Sequence, residues 1–392
     1  QSMKLMDENP LNLPSASDPD WRFASVRKYR LDALQPTVDL SEDALQDLAG
    51  RSRFLDDTSG HAILAGNQLS SPIHLQDSAI NLGVSLDLSE TPFEMFPTLG
   101  GQQFLDYNST NSKTSICLNV PDNVELQSPI LLVHWNDTGV ALPQVQVKTG
   151  KYSKLRLVEI YLSADSTPGH NIASTQVQAG EGSHVSRVVV RNWNPHTTAV
   201  HLEKLSAQRD ALLRSININI GGGTIRQESV ISAEGEGADL RLHSLSVSGK
   251  DQEFDQRTLQ THQAPNSRSD LLFKNALMAG GRTIFSGMIR VSPEAQYTDA
   301  YQTNRNLLLD PSAEANSLPG LEILANDVKC SHGATSGQID DEQLFYMRSR
   351  GITEQLARQL LVFGFFEEII SKIHLPDLEN KVRGWIEERF KT

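Results

Sequence analysis

The sequence predicts a mainly β protein: a right-handed parallel β-helix core with an N-terminal helical region and a C-terminal helical domain. Three observations carry this. From about residue 114 to 325, short runs rich in Val, Ile, Leu and Thr alternate apolar and polar positions, broken by Gly, Asn, Asp and Ser. Glycine-containing turns recur ahead of these runs about every 45 to 55 residues, as stacked coils require. After about residue 339 the apolar spacing lengthens to a helical period. The expected units are 1–100, a mixed helical region; 101–335, the β-helix core; and 336–392, the helical domain.

Residues 1–20 hold Asn, Pro, Ser and Asp with few apolar anchors, the composition of a mobile leader. Residues 21–34 and 41–48 read as short helical pieces separated by Pro36 and Gly50. Ser41 reads as an N-cap, with Glu42 and Asp43 in the first turn where the helix dipole favours acids.

The strand-like runs include 130–133, 155–162, 185–190, 215–220, 240–247 and 283–291. Ahead of them stand Gly180 and Gly182, Gly235 and Gly237, and Gly280 and Gly281, residues that let a chain turn sharply at a coil corner. Strand period alone does not separate a β-helix from a large sandwich or jelly roll; the recurring turns favour the helix.

Asp340 and Gln343 resemble a capping box opening a helix that Gly351 ends. A second helix follows from Thr353 and a third after Pro376, a residue well tolerated in a first turn. Leu360, Leu361, Val362, Phe365, Phe366, Ile369 and Ile370 cover too wide an arc for a simple surface helix. The bland reading is a three-helix cap over the end of the β-region; the other is a cap that also presents a groove or ridge to a partner.

A net charge of −13 and the lack of a dense basic run exclude a protein built to grip nucleic acid or an anionic membrane. The longest apolar stretches, such as 360–366, fall far short of the roughly 20 residues of a membrane span. The first residues are polar and acidic, unlike a secretory signal. Cys117 and Cys330 are too far apart for a CxxC motif and read as reduced thiols, so the expected location is the cytoplasm, or the plastid stroma if a transit peptide was removed. Asn108-Ser109-Thr110 and Asn136-Asp137-Thr138 match the glycosylation pattern, a short match that arises often by chance.

No Walker motif, GxSxG elbow or HExxH helix is present, and Gly221-Gly222-Gly223 reads as a turn. Asp251, Glu253 and Asp255 alternate as the carboxylates of a β-helix carbohydrate-active enzyme would, the enzyme-class alternative; a solvated strand edge is the bland reading. His184, His196, His201, His243 and His262 read as hydrogen-bonded histidines. Cys330 and His332 differ. Two apart in an extended segment, they face one side, and a thiolate with an imidazole suits iron, zinc or copper(I). They supply two ligands only, so a partner must complete any site; a buried structural cysteine is the other reading.

The segment Tyr301-Gln302-Thr303-Asn304-Arg305-Asn306-Leu307-Leu308-Leu309, then Leu321-Glu322-Ile323, then Asp327-Val328-Lys329-Cys330-Ser331-His332-Gly333-Ala334-Thr335, then Leu344-Phe345-Tyr346-Met347-Arg348-Ser349-Arg350-Gly351-Ile352, resembles the C-terminal signature of the SufB/SufD family of iron–sulfur cluster assembly scaffolds. Order and spacing agree across about 50 residues, and the flanking architecture across about 300 more. Ser331 and Gly333 beside His332, and the lack of extra cysteines, place the resemblance on the SufD side.

The resemblance implies a right-handed β-helix without catalytic turnover of its own. It implies pairing with a SufB-like paralogue and docking of a SufC-like ABC-type ATPase, whose closure shifts the interface between the paired cores. It makes His332, and less directly Cys330, ligands of a transient iron–sulfur cluster shared with SufB. Phe345, Tyr346, Arg348, Arg350, Phe365 and Phe366 would form the SufC dock. A homodimer is expected of isolated chains, because two related β-helix surfaces can pair. The family is also linked to reduced flavin, although no flavin motif is present in the sequence.

Overall fold

The computed structural model describes residues 14–391 apart from 16, 30–33, 35–36, 38, 91–93, 113, 137–138 and 164–167. Most of the expected leader, Pro36 and two of the three residues of the glycosylation match at Asn136 lie outside the described residues. The other match is not a surface site. Asn108 is 0% exposed, and its Nδ2 donates to the Ile172 carbonyl at 2.6 Å.

From Gln144 on, strands alternate between two sheets, so each of the long strands pairs in parallel with the strand two along the chain. Lys154–Ser163, His184–Asn192, Leu212–Asn219, Asp239–Ser248, Arg268–Leu277, Asp299–Leu308 and Lys329–Gln338 follow one another in an eleven-stranded sheet. Gly169–Ala179, Thr198–Ala207, Thr224–Ala233, Glu253–His262, Arg282–Val291 and Glu314–Ile323 do so in a ten-stranded one. This is a parallel β-solenoid, as the strand period and recurring turns predicted. The N-terminal region adds strands to both sheets: Gly60–Ala65 pairs in parallel with Ile130–Asn136, and Ser85–Ser89 pairs antiparallel with Ser115–Val120.

The coil is shorter than the expected 45 to 55 residues. Successive register partners, such as Thr198 with Thr224 and Arg282 with Glu314, set it at about 26 to 32, near the lower range of known solenoid repeats. The repeat shows in the backbone. Asn123, Tyr152, Gly182, Asp210, Gly237, Asn266 and Tyr297 all have φ between 53° and 72°, one per coil at the same corner. Each donates its N–H to a carbonyl of the next coil, to Lys151, Glu181, Arg209, Glu236, Pro265, Gln296 and Asp327 in turn, at 2.6–3.2 Å. Glycine fills this left-handed position twice, so glycine spacing reports two coils at once. Gly280 sits at the opposite corner, between Arg268–Leu277 and Arg282–Val291, and belongs to another series.

Inside the solenoid, Leu155, Leu157, Val185, Leu205, Leu213 and Ile231 form an apolar side. Further along the same strands the interior turns polar. Arg187 Nε and Nη1 donate to Glu159 and Glu203, both at 2.6 Å, with all three side chains 0% exposed. Burial alone would raise the Glu203 carboxyl, but Arg187 and Arg191 hold it below its ordinary value. Arg191 Nε donates to His201 Nδ1 at 3.0 Å, which leaves the neutral ring's Nε2–H facing Thr175 Oγ1 at 3.0 Å. Such paired charges avoid the cost of an isolated ion in a dry core.

Among the described residues six α-helices flank the stack: α1 (Glu42–Arg51), α2 (Asp77–Asn81), α3 (Gln102–Asn111), α4 (Asp341–Ser349), α5 (Glu354–Ile370) and α6 (Pro376–Glu388). The expected caps at Ser41 and Asp340 are present: Ser41 Oγ accepts from Ala44 N and Asp340 Oδ1 from Glu342 N, the latter without the return bond from Gln343 among the described residues. Thr353, expected as a helix start, also caps, its Oγ1 accepting from Leu356 N. The expected helical piece at 21–34 is instead two 3-10 turns, Pro19–Trp21 and Val26–Lys28, among its described residues. Trp21 packs tilted and Tyr29 edge-on against Phe104, and this cluster is their driving force.

The C-terminal helices do not cap the end of the stack. Val362, Phe366, Ile369 and Ile370 of α5 and Leu378, Val382 and Ile386 of α6 pack on the outer face of the eleven-stranded sheet, against Val188, Val190, Ile216, Ile218, Leu245 and Val247. The wide apolar arc of α5 is therefore covered from the side, and the last coil keeps its end open.

Candidate functional site

Both sheets end on the same coil, with Glu314–Ile323 and Lys329–Gln338 as terminal strands. In-register parallel stacking repeats side-chain direction from coil to coil. Ala300, Gln302 and Asn304 point inward and are buried, so their partners Cys330, His332 and Ala334 point the same way. On the other sheet Ile289 and Val291 are 0% exposed, while their partners Leu321 and Ile323 are 38% and 37% exposed. The inward residues of the last coil thus form an uncovered core, flanked by two strand edges with free N–H and C=O groups.

His332 lies exposed on this open end. Cys330 is half-buried and, with Val328, packs on Ile289, Val291, Ala295, Ala300 and Ala325. Burial pushes its thiol up, Asp299 adds to this, and a hydrogen bond with the Ala300 backbone opposes it. The two side chains offer sulfur and imidazole nitrogen on one face. Among the described residues no group of three His, Cys, Asp or Glu could hold a metal ion, so this pair needs donors from elsewhere.

The residues expected to dock a partner separate into two sets. Phe345 and Tyr346 of α4 are 74% and 59% exposed, with Leu356 and Leu360 of α5, at 44% and 42%, as further exposed apolar side chains. Arg350 lies over the Tyr346 ring at 5.2 Å, and Arg348 pairs with Glu354 at 3.4 Å. Phe365 is half-buried under Lys274, 5.1 Å from its ring. Phe366 is 0% exposed and belongs to the core, so it holds α5 on the sheet and is closed to a partner.

The carboxylate alternative has no cleft. Asp251 is a turn residue with φ 63°. Glu253 and Asp255 are 0% exposed and neutralised: Glu253 by Arg282 at 2.7 Å, and Asp255 by Arg226 and Arg257, each at 2.6 Å. Ser25 closes over Glu253 with two hydrogen bonds, and Arg226 lies over the Trp21 ring at 3.7 Å. A carboxylate locked between arginines under a backbone cover has no access to a sugar. His201, His243 and His262 are buried and hydrogen-bonded, as expected; His184 and His196 are exposed.

Sequence reasoning missed Leu321, Ile323, Leu356 and Leu360. Leu321 and Ile323 carried a signal, since they fall two apart in a strand like Ile289 and Val291; only the missing next coil leaves them bare.

The model for the SufBD core domain of the SUF iron–sulfur cluster assembly system matches residues 133–365. The chain belongs to the SufBD family. It is 29% identical over 323 residues to the iron–sulfur cluster assembly protein SufD of Escherichia coli K12, covering 81% of this chain and 76% of that one. A SufBD family protein of Mycobacterium tuberculosis is 30% identical over 294 residues, 73% of each chain. The chloroplastic protein ABCI7 of Arabidopsis thaliana is 24% identical over 391 residues, 95% of this chain and 82% of that one. The SufBD match spans the open terminal coil, α4 and most of α5. No described helix is long and apolar enough to cross a membrane.

Proposed function

We propose that this SufBD chain is the non-ATPase scaffold subunit of an iron–sulfur assembly complex, pairing through its open terminal coil with a SufB-like paralogue and presenting His332 to a nascent cluster there. The observation that carries this reading is the uncovered inward row of the last coil, Cys330 and His332 on one sheet and Leu321 and Ile323 on the other. An exposed apolar end with free strand edges associates unless it is covered. A second solenoid end would continue both sheets and bury the row. The cluster is cargo here: neutral imidazole and thiolate are iron ligands, and the paralogue supplies the remaining donors. Without a paralogue, a second copy of this chain is the expected occupant of the same end.

The Phe345 and Tyr346 surface of α4 is the proposed dock for a SufC-like ATPase. The terminal strand leads directly into α4, so force on the dock reaches the strand carrying His332. Co-expression with SufB-like and SufC-like proteins tests the reading. The three chains should co-purify, while the isolated chain neither hydrolyses ATP nor cleaves polysaccharide. Failure to form the complex overturns it.

A further inference from the structure

At the other end of the eleven-stranded sheet, far from the terminal coil in strand order, α1 packs through Leu48 on the outer face of Gly60–Ala65 and leaves a cleft of about 590 Å³ beside that contact. That volume lies within the range of small-molecule sites, about 300–1,000 Å³. Leu45, Ala49 and Gly50 of α1 share the helix face turned to it, at helical spacing. Ile63 and Leu131 line the sheet side.

Two basic groups of the cleft lie together. Arg53, just past the end of α1, and His61 both line it. Among the described residues no carboxylate forms an ion pair with Arg53. His61 faces His74 across the strand pair, ring centroids 5.1 Å apart. The His61 ring is held below its ordinary value by burial first, then by His74 and Arg53, so three basic groups crowd one another here. Glu42, the acid on the cleft, stands eight residues before Gly50 on α1, about 12 Å along a helix rising 1.5 Å per residue. Ser71 Oγ is buried against the cleft with no hydrogen-bond partner among the described residues, which is costly unless something fills the place.

We infer that this cleft binds a small amphipathic carboxylate, its apolar body between α1 and the sheet and its acid group held by Arg53 and His61. The apolar walls supply affinity through burial, and the Arg53 guanidinium, assisted by a hydrogen bond from the neutral His61 ring, selects an anion. The site is independent of cluster assembly and of the proposed partners.

Isothermal titration of the full chain with decanoate, and with decanol as neutral comparator, tests it. Decanoate should bind saturably and decanol about tenfold more weakly, the scale of losing a charge-assisted hydrogen bond. Arg53→Gln, an exposed change, should weaken decanoate by a similar factor and leave decanol unaffected. Gly50→Phe should weaken both, because it sets a ring at a position that lines the cleft and where a Cβ meets no atom within 4 Å. Its melting temperature should match or exceed that of the parent, since glycine disfavours a helix. Absence of saturable binding, equal affinity for decanoate and decanol, or unchanged binding in Gly50→Phe would each overturn the inference.

Discussion

His332 stands beside Gln302 in the ladder joining the last two coils, pointing the same way, yet Gln302 is 1% exposed and His332 is open to solvent. The difference is one missing coil. A side chain at a core position without a covering layer is poised to meet another chain, and the first expectation follows from it. His332→Ala should leave the isolated chain's stability within about 0.5 kcal/mol, as exposed substitutions do. It should lower cluster absorbance of the reconstituted complex with SufB-like and SufC-like partners. Unchanged absorbance would remove the ligand role.

The docking surface and its support should separate experimentally. Phe345→Glu should abolish ATPase co-purification with unchanged thermal unfolding, because that ring is 74% exposed. Phe366→Ala should instead destabilise the chain by about 3–5 kcal/mol in urea titration, the cost of emptying a buried phenylalanine site. Equal effects of the two on stability would refute the division.

Arg187 holds two buried carboxylates apart, so Arg187→Ala should cost about 3–5 kcal/mol by leaving Glu159 and Glu203 unpaired. Arg348→Ala, which breaks an exposed pair with Glu354, should cost less than about 1 kcal/mol. Chemical denaturation of both variants measures the contrast.

Burial holds His134 and His262 down to about 4, and His201 well below its ordinary value, with Arg191 and Arg187 adding to burial there. The unfolded chain binds these protons near pH 6.5 and the folded chain does not. Their neutral forms therefore favour the fold fully above about pH 6.5, and stability falls as pH drops from there toward 4, by up to about 1.4 kcal/mol per pH unit for each histidine. Urea unfolding between pH 7 and 5 should show this slope, and His262→Gln should reduce it. A slope unaltered in the variant would assign the acid sensitivity elsewhere.

The left-handed corner ladder gives the last expectation. Gly237→Val should destabilise by more than about 1–2 kcal/mol, since the branched side chain meets the backbone penalty at φ 72° and strikes Asp210. Tyr297→Gly at the equivalent corner relieves that penalty in a side chain 62% exposed, so its melting temperature should not fall. The opposite order of melting temperatures would contradict the ladder.

The sequence by itself determined what neighbours along the chain control. Strand period with the recurring turns placed the solenoid, Ser41 and Asp340 marked helix starts through short-range caps, and the two-residue spacing of Cys330 and His332 put them on one face. The coil length escaped because the corner demands a backbone angle that Asn, Asp, Tyr and Gly all adopt, so no one residue type marks every coil. Tertiary structure alone decided coverage. Phe345 and Phe366 look alike in sequence, as do Glu253 and an open carboxylate, but one phenylalanine is closed by the sheet and Glu253 by Arg282 and Ser25. The helices expected over the end of the stack lie along its side because their apolar faces match Val188, Ile216 and Leu245 there. Burial is set by what packs from more than a hundred residues away, and that placement is what leaves His332 exposed.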